Sequence, residues 1–138
     1  MHYNQLVPEL NITNLAESLS FYTAILGFEI KYQRTNPDFA FLELNGAQLM
    51  LEEIQPDSWL MGELVRPFGR GMNLSIECPD LAAIAANIHA SGIALFEELH
   101  EAWYATDDGE FGQRQLLVAD PDGYLLRLTE EIGKRPLA

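Results

Sequence analysis

The chain has 138 residues, 48% of them hydrophobic, and its 21 acidic against 8 basic side chains give a formal net charge of −13. That length suits one compact domain or two small fused halves with a real core. No run approaches the roughly 18 apolar residues of a membrane span, and the acidic balance argues against nucleic acid as a partner, because phosphate binding needs a basic face.

The same charge suits plain solubility or the attraction of a cationic ligand. Cys78 is the single cysteine, so no internal disulfide can form, and Met1-His2-Tyr3-Asn4 shows no basic stretch followed by an apolar run. Together these features predict a cytoplasmic protein. Cys78 itself reads as a small buried hydrophobe on a strand.

Leu6 to Ile12 reads as a first strand, with Leu10 and Ile12 on one face and Val7, Glu9 and Asn11 on the other. Asn14, three before Glu17, makes an Asn version of the capping box. Leu15, Leu19, Tyr22 and Leu26 follow at helical spacing, and Gly27 is a natural stop. Phe28 to Arg34 is a strand, Asn36-Pro37-Asp38 a turn and Phe39 to Leu44 a third strand. Phe39 and Phe41 share one face of that strand, as core or as cavity lining. Asn45-Gly46 predicts a hairpin into a fourth strand, Ala47 to Ile54.

Gln55 to Arg70 has no clean period. It is broken by Pro56, Gly62, Pro67 and Gly69 and bears Trp59, Leu60, Met61 and Phe68. A loop this apolar is expected to be covered by its own domain, a second subunit or a ligand.

The pattern then starts again. Met72 to Cys78 is a strand. Asp80 caps a helix that puts Leu81, Ile84, Ala85 and Ile88 on one face and stops at Gly92. Ile93 to Leu99 is a strand, and His100 to Gly112 a loop bearing Trp103, Tyr104 and a turn at Asp107 to Glu110. Arg114 to Ala119 is a strand, followed by DPDGYLLRL at Asp120 to Leu128. Pro121 and Asp122-Gly123 supply a turn. Beyond it Tyr124, Leu126 and Leu128 face one way and Leu125 and Arg127 the other, which sets a permanent cation on a half-buried strand.

The fold class is therefore α+β, with two tandem βαβββ modules at 5–55 and 71–132 joined by loop 56–70. They are expected to build a curved mixed sheet around a cavity, with the helices on its outer face.

ESLSFYTAILGFEI at Glu17 to Ile30, QLMLEE at Gln48 to Glu53, FGQRQLLVADPDGYLLRL at Phe111 to Leu128 and the repeated module resemble the vicinal-oxygen-chelate superfamily. That superfamily includes glyoxalases, extradiol dioxygenases and bleomycin-resistance proteins. Its enzymes hold a divalent metal at positions that correspond here to Val7, Glu52, Asn73 (or Met72) and Arg127. Val7 offers no lone pair and Arg127 is always protonated, so no metal site and no cofactor are expected. The resemblance is nearest to the bleomycin-resistance branch, where DPDGYLLRL also has an arginine in place of the enzymes' glutamate. It implies a metal-free homodimer that sequesters a bleomycin-like, cationic aromatic antibiotic without chemistry. The alternative it leaves is a metal-dependent glyoxalase-like lyase or isomerase, or a dioxygenase.

The residues expected at the ligand are Trp103, Tyr104, Trp59, Phe41, Phe39, Glu52, Asn73, Arg127 and Phe111. Glu52 and Arg127 are further expected as an ion pair filling the vacated metal position. No residue is assigned to catalysis. His2, His89 and His100 read as solvated, and no serine or cysteine has an obvious local base.

Overall fold

The computed structural model describes residues 1–136. Its elements are β1 (Glu9–Ile12), α1 (Leu15–Leu19), β2 (Glu29–Arg34), β3 (Phe39–Leu44), β4 (Ala47–Glu53), β5 (Asn73–Glu77), α2 (Leu81–Ala90), β6 (Glu97–Thr106), β7 (Gly109–Ala119) and β8 (Leu125–Arg135). Each half is strand, helix, strand, strand, strand. Each half also makes one four-stranded mixed sheet, ordered β1-β4-β3-β2 in the first module and β5-β8-β7-β6 in the second. The first strand of each half runs parallel to the last, and the remaining pairs are antiparallel. No helix among the described residues is long and apolar enough to cross a membrane.

Local chemistry sets the helix ends. Asn14 accepts from the Glu17 amide at 2.9 Å, and Asp80 accepts from the Ala83 amide at 3.1 Å. Such caps contribute about 1 kcal/mol each. A glutamate on a neighbouring strand adds a second acceptor to each helix start: Glu53 takes the Leu15 amide at 2.7 Å and Glu130 the Leu81 amide at 3.2 Å. Both carboxylates also sit where the helix dipole favours negative charge. After Leu19 the helix widens into a π-helical segment, Ser20–Ile25. Phe21 and Tyr22 within it are both buried.

The helices cover one face of each sheet. Leu10, Ile12, Ala40, Leu42, Leu49 and Leu51 pack under the first helical segment, and Ile76, Leu116, Val118, Leu126 and Leu128 under α2. All of these belong to one hydrophobic cluster. The alternation expected of Leu126 and Leu128 against Leu125 and Arg127 is present, the first two fully buried and the second two half-buried.

The modules are joined by the turn before β8. Tyr22 Oη donates to Asp120 Oδ2 at 2.7 Å, and Tyr124 Oη donates to the Asn11 carbonyl at 2.8 Å. Asp122 accepts from the Thr13 amide at 3.1 Å, from its hydroxyl at 2.7 Å and from Arg66 Nη2 at 2.9 Å. The Phe68 amide donates to the Asp122 carbonyl at 3.0 Å. Phe68 is buried against Tyr124, ring centroids 5.9 Å apart. Of the apolar residues in loop 55–70, Phe68 is thus covered by its own chain, whereas Trp59, Leu60 and Met61 stay exposed.

The strand expected at Ile93 to Leu99 begins only at Glu97, and the stretch after it departs further. His100 to Gly112 is not a loop. β6 and β7 form a long hairpin closed by Asp107-Asp108, with pairing maintained from Thr106↔Gly109 to His100↔Gln115. Small residues hid it from the sequence. Ala102, Ala105, Gly109 and Gly112 give no strand signal, yet Gly112 is where the strand must be bare, because a Cβ there would lie 2.5 Å from the Trp103 ring.

Candidate functional site

Each sheet has a second face that no helix covers. In the first module the strand register sets out two rows on it. Asn11, Glu52, Phe39 and Arg34 lie side by side, and so do Glu9, Met50, Phe41 and Tyr32. Glu52 and Glu53 are adjacent in sequence, so they point to opposite faces. Glu53 is spent on the helix start and Glu52 is left on the open side.

Phe39 and Phe41 are buried but lie outside the core cluster. Tyr32 stacks on both, at 6.0 and 5.3 Å between centroids, Tyr3 meets Phe41 edge-on at 5.5 Å, and the Arg34 guanidinium lies 4.0 Å above Phe39. The question left open by the sequence therefore resolves as aromatic lining of the uncovered face. Residues 2–4 run along the lower end of that face. The Asn4 amide donates to Gln48 Oε1 at 2.8 Å, and Gln48 Nε2 donates to the His2 carbonyl at 2.8 Å.

At the upper end the face opens into a cavity of about 320 Å³ lined by Glu9, Arg34, Glu52, Gln55, Asp57 and Trp59 among others. Gln55 and Ser58 bond each other through the Gln55 amide to Ser58 Oγ at 2.8 Å and the Ser58 amide to the Gln55 carbonyl at 3.1 Å. This fixes the turn that holds Trp59 out at the mouth, 94% exposed. Burial holds the Glu9 carboxyl above the ordinary carboxylate range, and repulsion from Glu52 adds to the effect against the pull of Arg34. Among the lining residues the carboxylates of Glu9, Glu52 and Asp57 outnumber the one guanidinium, Arg34.

The second module's open face is polar. His100 Nδ1 lies 2.7 Å from the Glu98 carbonyl, so it bears the proton and Nε2 accepts from Gln115 Nε2 at 3.1 Å. Gln115 Oε1 in turn accepts from Tyr104 Oη at 3.0 Å and Gln113 Nε2 at 2.9 Å. Phe111 lies opposite Tyr104 and lines a cavity of about 330 Å³ at the hairpin tip. Asn73 is exposed at the start of β5. Arg127 lies beside Ser75 and Leu117, and its Nε is buried with no hydrogen-bond partner among the described residues.

The expected site residues therefore divide. Glu52, Phe39, Phe41 and Trp59 gather on the first sheet, and Tyr104, Phe111, Asn73 and Arg127 on the second. Trp103 faces the other way, seated on Gly112 with the Arg135 guanidinium 3.9 Å above its ring. The expected Glu52–Arg127 pair is not among the ion pairs of the described residues, and the two residues lie on different sheets. Sequence reasoning missed Glu9 and Arg34 as site residues. The alternation that sets Leu10 and Ile12 inward was the signal that could have found Glu9.

The residues do not fit a divalent metal within the chain. Among the described residues no three His, Cys, Asp or Glu side chains converge. Of the positions that resemble metal ligands only Glu52 is a strong donor, whereas divalent ions want several such groups together.

Two βαβββ modules, each a helix-backed mixed sheet with one open face, define a paired-module α+β protein. A family model described as the Glyoxalase/Bleomycin resistance protein/Dioxygenase superfamily matches residues 2–128, and the chain belongs to that superfamily. The structure of TioX from Micromonospora sp. ML1 is similar at TM-score 0.72 and 18% identity, over 94% of this chain and 100% of that one. A virulence protein from Salmonella typhimurium is similar at TM-score 0.65 and 19% identity, over 96% and 100% of the two chains. A glyoxalase/bleomycin resistance protein/dioxygenase from Alicyclobacillus acidocaldarius gives TM-score 0.63 and 18% identity, over 94% and 92%. At these identities the likeness is one of fold. No curated protein matches the sequence.

Proposed function

We propose that the chain is a cytoplasmic, metal-free binding protein of the bleomycin-resistance type. In this reading it acts as a homodimer and sequesters a small, cationic, aromatic natural product without transforming it. The observation behind the reading is the cavity on the first module's open face. Glu9 and Glu52 stand together on its wall, Trp59 stands at its mouth, and the Phe39–Tyr32–Phe41 stack forms the adjoining floor. A planar cation entering there gains aromatic faces and relieves the repulsion between the two carboxylates. The net charge of −13 raises the encounter rate of such a ligand. Trp59, Leu60 and Met61, exposed in the single chain, are apolar surface suited to a second subunit or to the ligand.

Sequestration needs affinity alone, so the relevant quantity is Kd set against drug concentration. The test is calorimetric titration of metal-free and copper-loaded bleomycin into chelator-washed protein, with zinc, nickel and manganese injected in parallel. Sub-micromolar binding of the drug with no stoichiometric metal uptake supports the reading. Tight one-to-one metal uptake with no drug binding overturns it in favour of a metal-dependent lyase, isomerase or dioxygenase.

A further inference from the structure

The second module's open face has a feature that the cation reading does not use. Among the described residues Arg66, Arg114 and Arg135 each have a carboxylate partner, Arg70 is bonded to backbone carbonyls and Arg34 lies over Phe39. Arg127 has none of these. It is half-buried in the middle of a strand, and its Nε is shut off from water without an acceptor. The chain holds 21 carboxylates, so the gap is not for want of anions. The nearest one along the neighbouring strand is Glu77, one row beyond, opposite Thr129, and no ion pair joins it to Arg127.

A guanidinium held in a half-dry place keeps its charge, so the group that satisfies it must be an acceptor and is best an anion. The same face also bears carboxylates at Glu77, one row away, and at Glu97, across Leu117 in the same row, but neither is paired with Arg127, and two donors stand as close or closer. Ser75 stands directly beside it on β5, and Asn73 is one row away on the same strand and face. A hydroxyl and an amide offer donors next to the guanidinium fork, and the fork itself matches two oxygens of one oxyanion. We infer that Arg127, with Ser75 and Asn73 beside it, is an anion-binding site for a carboxylate or phosphate group of a small molecule. It lies on the other sheet from the Glu9–Glu52 cavity and stands whether or not that cavity binds a cation.

The test reads the site directly. Arginine side-chain 1H–15Nε spectra are recorded on the wild-type protein during titration with sodium acetate, with inorganic phosphate and with sodium chloride at matched ionic strength. The expected result is a saturable shift of the Arg127 Nε–H signal with acetate or phosphate, little movement with chloride, and no comparable change at Arg66 or Arg135. Arg127→Lys keeps the charge and loses the fork, and should weaken the response of the neighbouring Ser75 amide about tenfold. Arg127→Gln, checked for folding by its melting curve, should abolish it. An Arg127 signal that moves linearly with every salt overturns the proposal. So does one that moves on protein dilution and ignores added anion, because a carboxylate of a second copy then occupies the fork. The anion response is read at the Arg127 Nε–H itself with no drug present, so failure of either reading is told apart from failure of the other.

Discussion

Tyr22 Oη and Asp120 Oδ2 meet at 2.7 Å across the junction of the two modules, both side chains buried. Asp120 also takes the Asp122 and Tyr124 amides at 2.9 Å each through Oδ1. Burial nonetheless holds its carboxyl above the ordinary value of 3.8, with the three hydrogen bonds pulling the other way. The native state therefore keeps this proton over a range in which the unfolded chain has released it. The contribution to stability is full below 3.8 and is lost as pH rises through the higher native value. Urea unfolding from acid to neutral pH should show this slope in the wild-type protein and lose it in Asp120→Asn. Tyr22→Phe should cost about 1–3 kcal/mol and push the window higher, because one of the bonds holding the carboxyl down is gone.

Asp122 and Arg66 should not behave as equal halves of one ion pair. The Asp122 side chain is 1% exposed and the Arg66 side chain 57%. Removing Asp122 orphans the Thr13 amide and hydroxyl as well as the guanidinium. Asp122→Ala should therefore cost about 3 kcal/mol or more. Arg66→Ala should cost about 0.5–1 kcal/mol and less at high salt. Denaturant midpoints at two ionic strengths check both values.

Gly112 is a steric requirement of Trp103. A methyl group at Gly112 would come within 2.5 Å of the ring, and the ring must then leave its seat beneath Arg135. Gly112→Ala should destabilise by about 1–3 kcal/mol. It should also shift the Trp103 emission to the red. Trp59, exposed at the cavity mouth, gives the acrylamide-quenched component and should be unchanged.

Cys78 is buried, and that burial pushes its thiol up to about 11. A thiol held protonated and shielded is a poor nucleophile. Native protein should show no reaction with a disulfide reagent at neutral pH, and one equivalent should react once the chain is unfolded.

At the proposed cation site, Glu52→Gln should weaken drug binding by roughly 1–2 kcal/mol, about 5–30-fold in Kd, and flatten its salt dependence. Glu9→Gln should also weaken binding, because the Glu9 carboxylate stands on the same cavity wall. Calorimetry at two salt concentrations separates the variants.

Much of the fold was legible because its punctuation is local. Asn14 and Asp80 cap, Gly27 and Gly92 end the helical segments at positive φ, and Asn45-Gly46 turns the β3–β4 hairpin at φ 48° and 92°. What was hidden depends on partners distant in sequence. Phe39-Ala-Phe-Leu-Glu-Leu is apolar on both sides, so nothing within it says that the phenylalanines lie away from the helix. Trp103 reads as a loop aromatic until pairing places Gly112 beneath it. Arg127 and Glu52 look like a pair only if the two open faces of one chain are assumed to meet.

The two halves share a ground plan but differ in one turn. β3 reaches β4 through Asn45-Gly46, whereas β7 reaches β8 through Asp120 to Tyr124, and only the longer link extends to the other half. Host and guest are therefore not exchangeable. A protein made of two first halves would present the Tyr22 phenol, the Asn11 carbonyl and the Thr13 amide with nothing to receive them. Shortening the second turn to match the first should divide the chain into two units that no longer recognise each other.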